Sequence, residues 1–308
     1  MGIFLTGAGG FVGKRLVTQL IQDTPDTLYC LIRSGKSAWR PSIEHPRIII
    51  VEGNLSDTEA YSGYLAQCQT VVHLAAVTGK AGPQEFMQVN LHGTSSILQQ
   101  CKAAGVTQFL FVSTIAVTFV DKLRYYYAQS KEQAEQCVRE SGLQYVIIRP
   151  TLIAGRGAKA WEGLLKLARL PVLLVPGDGT PKLQPIHVDD FVRLISGILS
   201  QKSFGQQTIE AGGSEIISIS DLLTRMHIQY SGRKPVGIVR IPLRWIVPLL
   251  TLIETIIGPV LPITVGQLAS FKNDGIAKDV GRIGKLLNRK TIDQMILETC
   301  ERTHAVAR

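Results

Sequence analysis

A chain of 308 residues, 45% hydrophobic and 19% charged, is too long for a disulfide-stapled mini-domain and too apolar for a disordered tail. Its 33 Lys and Arg against 24 Asp and Glu leave a net charge of +9, which suits an anionic cofactor, an acidic substrate, a membrane surface or nucleic acid without choosing among them. The basic residues are scattered, so nucleic-acid binding is not expected, and five widely spaced cysteines with no CxxC read as free thiols with no metal site.

From the N-terminus, Met1 to Thr6 lead directly into a Gly-rich turn with no room for a charged leader, which suggests a cytoplasmic location. Short β-branched runs then alternate with amphipathic stretches. Strands are predicted at Ile3–Thr6, Thr27–Ile32, Arg47–Val51, Thr70–Leu74, Gln108–Ser113 and Gln144–Ile148. Helices are predicted at Phe11–Gln22, Asp57–Gln67, Pro83–Ala104 and Tyr127–Ser141. This alternation specifies an α/β fold with a doubly wound parallel sheet of the Rossmann kind, covered by helices on both faces.

Thr6-Gly7-Ala8-Gly9-Gly10-Phe11-Val12-Gly13 lies between the first strand and the first helix. Gly7 allows the tight turn, Gly10 lets backbone approach a pyrophosphate, and Gly13 permits close helix–strand packing. The pyrophosphate of a dinucleotide then meets unpaired N–H groups at the helix N-terminus, where the helix dipole favours negative charge. At the end of the second strand, where a carboxylate usually accepts the ribose 2′-OH of NAD, the chain reads Ile32-Arg33-Ser34-Gly35-Lys36. Arg33, with Lys36 as a second charge, favours NADP(H), although NAD(H) stays open.

Beyond Pro150 the pattern changes. Residues 1–150 are expected to form the dinucleotide-binding domain and residues 151–308 a smaller, mostly helical substrate region, with about 180–212 returning to the first. One helix is expected from Asp189, capped by its own carboxylate, and another near Ser220. The segment Ile241–Ile263 is the most apolar in the chain, but Pro242, Pro248, Pro259 and Pro262 interrupt it. It is expected to give two short helical pieces joined near Gly258-Pro259, lining a substrate cleft, with peripheral membrane contact as the alternative. The last 35 or so residues read as a polar-faced helical tail.

Tyr127 and Lys131 are four residues apart, on one face of a helix, where an ammonium would lower the phenol's pKa and make it an acid/base near neutrality. With the Gly-rich turn upstream and Phe111-Val112-Ser113-Thr114 between them, the chain resembles the extended and atypical branch of the short-chain dehydrogenase/reductase superfamily, the NAD-dependent epimerase/dehydratase type. Val71–Ala76, Val89–Thr94, Ile148–Pro150 and Pro185–Asp190 carry the same likeness. The stretch from Leu261 to Asp274 is similar to the sub-branch containing the respiratory complex I accessory subunit.

The resemblance implies roles for individual residues. Tyr127 is the acid/base, Lys131 holds the nicotinamide ribose, and Thr114, in preference to Ser113, orients the substrate oxygen. Gly7, Gly10, Phe11, Val12, Gly13 and Arg33 hold the dinucleotide, Asn54 and Leu55 flank adenine, Ala75 and Ala76 pass beneath the cofactor, and Asn90 supports the site. The Asn that nucleotide-sugar members place shortly after the Arg of the sixth strand is missing after Arg149, which favours an apolar alcohol or ketone as the small-molecule substrate. The expected function is hydride transfer between NADP(H) or NAD(H) and that carbon. The alternatives are an epimerase or dehydratase, or a non-catalytic cofactor-binding scaffold at a membrane. Oligomeric state is left open.

Overall fold

The computed structural model describes residues 2–33, 45–201, 204–257, 265–278 and 288–300. The short apolar runs become strands because helices bury them on both faces: all five residues of β1 (Gly2–Thr6) are buried. With β2 (Thr27–Ile32), β3 (Ile48–Glu52), β4 (Cys68–His73), β5 (Gln108–Val112) and β6 (Gln144–Pro150), it builds the central sheet. Beyond β6 come β7 (Ile153–Ala154), β8 (Val172–Pro176), β9 (Lys182–Leu183) and β10 (Ile186–His187), before β11 (Gln207–Ala211) returns to the sheet edge. The order is β3-β2-β1-β4-β5-β6-β11, every pair parallel, as in a doubly wound Rossmann sheet.

One face of the sheet is covered by α1 (Phe11–Asp23) and, from later in the chain, the helix Val188–Ser200. The other face is covered by α2 (Glu59–Leu65), the broken helix that follows β4, and the helix after β5. The single helix expected over Pro83–Ala104 is instead α3 (Pro83–Phe86), a π-helical stretch Met87–His92 and α4 (Gly93–Ala103). Asn90 lies in the π stretch, turned inward to a backbone partner, and Gly93 lies so close to Leu55 that an added Cβ would be 2.9 Å from its Cδ1. Next come α5 (Tyr126–Arg139), α6 (Lys159–Ala168) and the helix already mentioned, α7 (Val188–Ser200).

Asp189 does not cap α7. His187 is the N-cap, and its ring Nδ1 accepts from the Asp189 N–H at 3.2 Å. The imidazole reaches the free amide that the Asp189 carboxylate, already inside the first turn and paired with Lys290 at 3.2 Å, leaves open.

A third core gathers α6, α8 (Ile219–Ser231) and a last described helix, α10 (Ile292–Cys300). The expected polar tail is therefore only partly that: α10 buries Ile292, Met295 and Ile296. Two-stranded pairings that no alternation announced stitch this part together, β10 with β7, β12 (Ile217–Ser218) with β9, and β13 (Gly237–Ile241) with β8. Within the apolar segment the described residues form one helix, α9 (Leu243–Ile257), with Pro248 inside it, and the expected joint at Gly258-Pro259 lies outside the described residues. The helix survives its proline because this side faces solvent, so a carbonyl without an N–H partner can turn to water. On the same helix Trp245, Leu249 and Leu252 are exposed. Among the described residues, no helix is long and apolar enough to cross a membrane.

Candidate active site

In a parallel sheet all strands end on one side, and the order reverses between β1 and β4. The turn after β1, Arg33 after β2, Asn54 after β3, Ala75 and Ala76 after β4, and Ser113 and Thr114 after β5 therefore open onto one crevice.

The Gly-rich turn has the shape that a diphosphate needs. Gly7 takes φ +73°, and a Cβ there would be 2.7 Å from the Ala75 nitrogen. A side chain at Gly13 would run into the Gly7 and Ala8 carbonyls. Gly10, the N-cap of α1, is exposed and has only the Gly7 carbonyl within 4 Å of a built Cβ. No side chain caps α1 and no acid occupies its first turn, so the amides of Phe11, Val12 and Gly13 are available to an anion. Phe11 turns its ring toward Gly155 and Gly157 and lies beneath the Arg15 guanidinium, 4.6 Å from the ring centre.

Arg33 is exposed at the end of β2 and pairs with no carboxylate among the described residues, while Lys36 lies outside them. Asn54 is exposed, and its Oδ1 already accepts from the N–H groups of Ser56 and Asp57 (2.9 and 3.2 Å) and from the Ser56 hydroxyl. Its amide group thus shapes the loop, and the Leu55 side chain is buried against Gly93, so only their backbone and the Asn54 N–H₂ remain to border an adenine. Ala75 and Ala76 leave the end of β4 open, with the Ala75 N–H donating to Thr6 Oγ1 at 3.2 Å.

Tyr127 and Lys131 share a face of α5. The Lys131 side chain is buried, its Nζ donating to the Val112 carbonyl at 2.8 Å and lying 3.9 Å from the centre of the Phe111 ring. Burial pushes this ammonium down to about 7, against the pull of Glu135. The Tyr127 phenol is not lowered as expected. Burial raises it, the Tyr125 phenol adds to the rise, and the Thr114 hydroxyl is the group that opposes it. In the ligand-free protein the lysine's charge is itself penalised and turned toward a carbonyl, so desolvation outweighs its attraction for a phenolate. Ser113 is buried and faces Glu135, whereas Thr114 caps the short helix Ile115–Thr118 and faces Tyr127. The two adjacent hydroxyls therefore face different partners.

The resemblance implies Asn90 as a support of the site; Ser130 and Glu135 were not visible as site residues in the sequence. Asn90 clamps Val77, accepting from its N–H at 2.8 Å and donating to its carbonyl at 3.1 Å, and donates to Ser130 Oγ at 3.0 Å. Ser130 in turn donates to the Tyr127 carbonyl at 2.9 Å. Glu135, one turn beyond Lys131, is fully buried and receives Arg149 on both oxygens (2.9 and 2.7 Å) and Arg139 at 2.6 Å. Burial alone would raise its carboxyl, but the Arg149 hydrogen bonds and the other donors hold it below the usual range. His73 is structural: burial drives it down to about 3, so it is neutral. Thr94 donates to the Asn90 carbonyl at 2.6 Å, which leaves its oxygen to accept from His73 Nε2 at 3.0 Å and His73 Nδ1 to accept from Thr6 at 2.7 Å.

Two concavities lie elsewhere. One of about 660 Å³ opens beside Lys182, Ser218 and Arg225, and another of about 210 Å³ beside Arg15, His187 and Glu298. Neither is lined by Gly10, Tyr127 or Lys131.

Among proteins of known sequence, the chain is similar to a ceramide reductase of Caulobacter vibrioides, 30% identical over 200 residues that cover 61% of this chain and 57% of the relative. It is also similar to a 2-alkyl-3-oxoalkanoate reductase of Stenotrophomonas maltophilia, 28% identical over 62% of each chain. The matched region thus spans less than two thirds of either relative. Among solved structures, MoeE5 in complex with UDP-glucuronic acid and NAD superposes with a TM-score of 0.74 at 20% identity, over 99% of this chain and 100% of the other, a likeness of fold. The model of the NAD dependent epimerase/dehydratase family matches residues 3–212, the crevice and its supports included. The chain belongs to the NAD dependent epimerase/dehydratase family of the short-chain dehydrogenase/reductase superfamily.

Proposed function

We propose that this protein is an NAD(P)-dependent oxidoreductase acting on the carbonyl or alcohol carbon of an apolar small molecule, with NADP(H) as its preferred dinucleotide. The observation that carries the reading is the convergence of Tyr127, Thr114 and Lys131 at the end of β5, beside a turn that has neither a side-chain cap nor an acid. A pure scaffold needs no such trio.

Bound NAD(P) supplies or accepts the hydride. The Phe11, Val12 and Gly13 amides would hold its pyrophosphate, Arg33 a 2′-phosphate, and Lys131, released from the Val112 carbonyl, a ribose hydroxyl. In the reductive direction Tyr127, kept protonated by its surroundings, gives its hydroxyl proton to the forming alkoxide. Thr114 donates a hydrogen bond to the same oxygen and lowers the energy of its developing charge. The Asn90–Ser130 clamp and the Glu135–Arg149 pair fix α5, so that both oxygens stay in place.

The apolar substrate class draws support from two sides. Phe86 and Tyr125 flank the Tyr127 ring at 6.0 and 5.8 Å, and both similar reductases are named for substrates with alkyl chains. An epimerase or dehydratase would use the same crevice, and the family's name keeps that reading as the alternative.

The test is titration of NADPH and NADH into wild type, Arg33→Ala and Tyr127→Phe, followed by turnover of a panel of alkyl ketones. Wild type should bind NADPH more tightly by about 1–3 kcal/mol, and Arg33→Ala should lose that preference. Tyr127→Phe should keep the affinity and lose about 10²–10⁴-fold in turnover. Equal affinities refute the NADP(H) assignment, and normal turnover in Tyr127→Phe refutes the acid.

A further inference from the structure

Apolar side chains near α5, the helix that carries Tyr127, and on α9 stand exposed, and nothing in the described protein covers them. Val120 and Leu123, in the loop before α5, are 96% and 80% exposed, and Tyr126 at the start of α5 is also open. On α9, Trp245, Leu249 and Leu252, spaced to share one face, are 64%, 59% and 59% exposed. The two groups belong to one surface. Arg124 Nη1 in the loop donates to Thr251 Oγ1 on α9 at 3.0 Å, and Gly266 packs against the Arg124 carbonyl and the Tyr125 backbone. Tyr125 in turn lies against Tyr127, ring centres 5.8 Å apart, so this surface adjoins the site.

The charges of this surface indicate what it faces. Arg124 and Arg244 are exposed and pair with no carboxylate among the described residues, and the Arg244 guanidinium lies 5.7 Å from the centre of the Trp245 indole. Residues 231–252 contain Arg233, Lys234, Arg240 and Arg244 and no Asp or Glu, although Arg240 is near Asp178. The neighbouring Lys122 and Lys272 are already neutralised by Glu132 and Asp121. A self-complementary dimer through this face would set unpaired arginines against each other. A helix of 15 residues interrupted by Pro248, roughly 22 Å long, is too short to span a bilayer but suited to lying within its interface, with tryptophan at headgroup depth.

We propose that the face formed by α9 and the loop before α5 docks on an anionic lipid bilayer, so that an apolar substrate enters the Tyr127 site from the membrane. The second clause rests on the function proposed above; the docking does not.

Flotation of the full-length protein with vesicles of pure phosphatidylcholine, or with 30 mol% phosphatidylglycerol added (roughly the anionic content that attracts juxtamembrane cations), separates the cases without any turnover. Wild type should float with the anionic vesicles at least about tenfold more readily than with the neutral ones, and 0.5 M salt (about a 4 Å screening length) should release it. Leu249→Glu/Leu252→Glu and Arg124→Ala/Arg244→Ala should each weaken binding by about tenfold or more, with dinucleotide affinity unchanged as the check on folding. Bromine atoms on the lipid chains should quench Trp245, and Trp245→Phe should remove that quenching. Absence of flotation and quenching in wild type overturns the proposal. So does a dimer that the same Leu249→Glu/Leu252→Glu change dissolves, because the face is then a contact between copies. Docking without turnover of any alkyl ketone would leave the surface standing and count against the substrate reading alone.

Discussion

Tyr127 and Lys131 were legible as a pair from their spacing, but not their protonation. A four-residue separation on a helix puts two side chains on one face; it does not say how much protein surrounds them. Burial raises the phenol and lowers the ammonium to about 7, so in the ligand-free protein the tyrosine remains an acid throughout the neutral range. The direction has a kinetic consequence. Reduction uses the protonated phenol, so Tyr127 itself adds no pH dependence between about pH 6 and 8, whereas oxidation needs the phenolate and should rise about tenfold per pH unit below the phenol's pKa. Initial rates in both directions across pH 6–9, with a ketone–alcohol pair that turns over, check this. An oxidative rate independent of pH would mean that another group accepts the proton. Thr114 and Ser113 show the same limit: adjacent hydroxyls look alike in sequence, and only the fold turns one toward Tyr127 and the other toward Glu135.

At the scale of elements, the Gly-rich turn could be read from the sequence because its requirements are local: a positive φ at Gly7 and no room for a Cβ at Gly13. The break in the helix after β4 could not, because it depends on Asn90 reaching Val77 and Ser130, 13 and 40 residues away in the chain. Asn90→Ala would leave the Val77 N–H and carbonyl without partners inside the protein, a loss of about 1–3 kcal/mol. Thermal denaturation should register this as a fall of several degrees, at roughly 2–4 °C per kcal/mol for a chain of this size. A melting temperature equal to wild type would remove Asn90 from the supports of α5.

At the scale of the whole molecule, the sheet's two faces and the third core are packed separately, with Phe11 touching both sides of the boundary. α10 is tied into the third core by Met295 and at its ends by Lys290 to Asp189 and His187 to Glu298 (3.2 and 3.1 Å). Met295→Ala should therefore cost about 2–5 kcal/mol of stability. It should raise the KM for substrate while dinucleotide affinity stays within about threefold, since the phosphate turn is built on the sheet. Calorimetry with dinucleotide titration decides the point. An equal loss of dinucleotide binding would mean that the cores do not act independently.

The sequence alone determined the parallel α/β sheet, the Gly-rich turn and the sharing of one helix face by Tyr127 and Lys131, because each follows from periodicity or short spacing that acts within one element or between neighbours; Thr114 entered only through the family resemblance. Tertiary structure alone decided the rest: which residue caps α7, how Glu135 is held by Arg149, how β7 to β10 and β13 pair, and which side of α9 meets solvent. These depend on groups far apart in the chain whose desolvation and pairing are set only when the sheet brings them together. An apolar segment records that it avoids water, but not whether protein or lipid is to replace it.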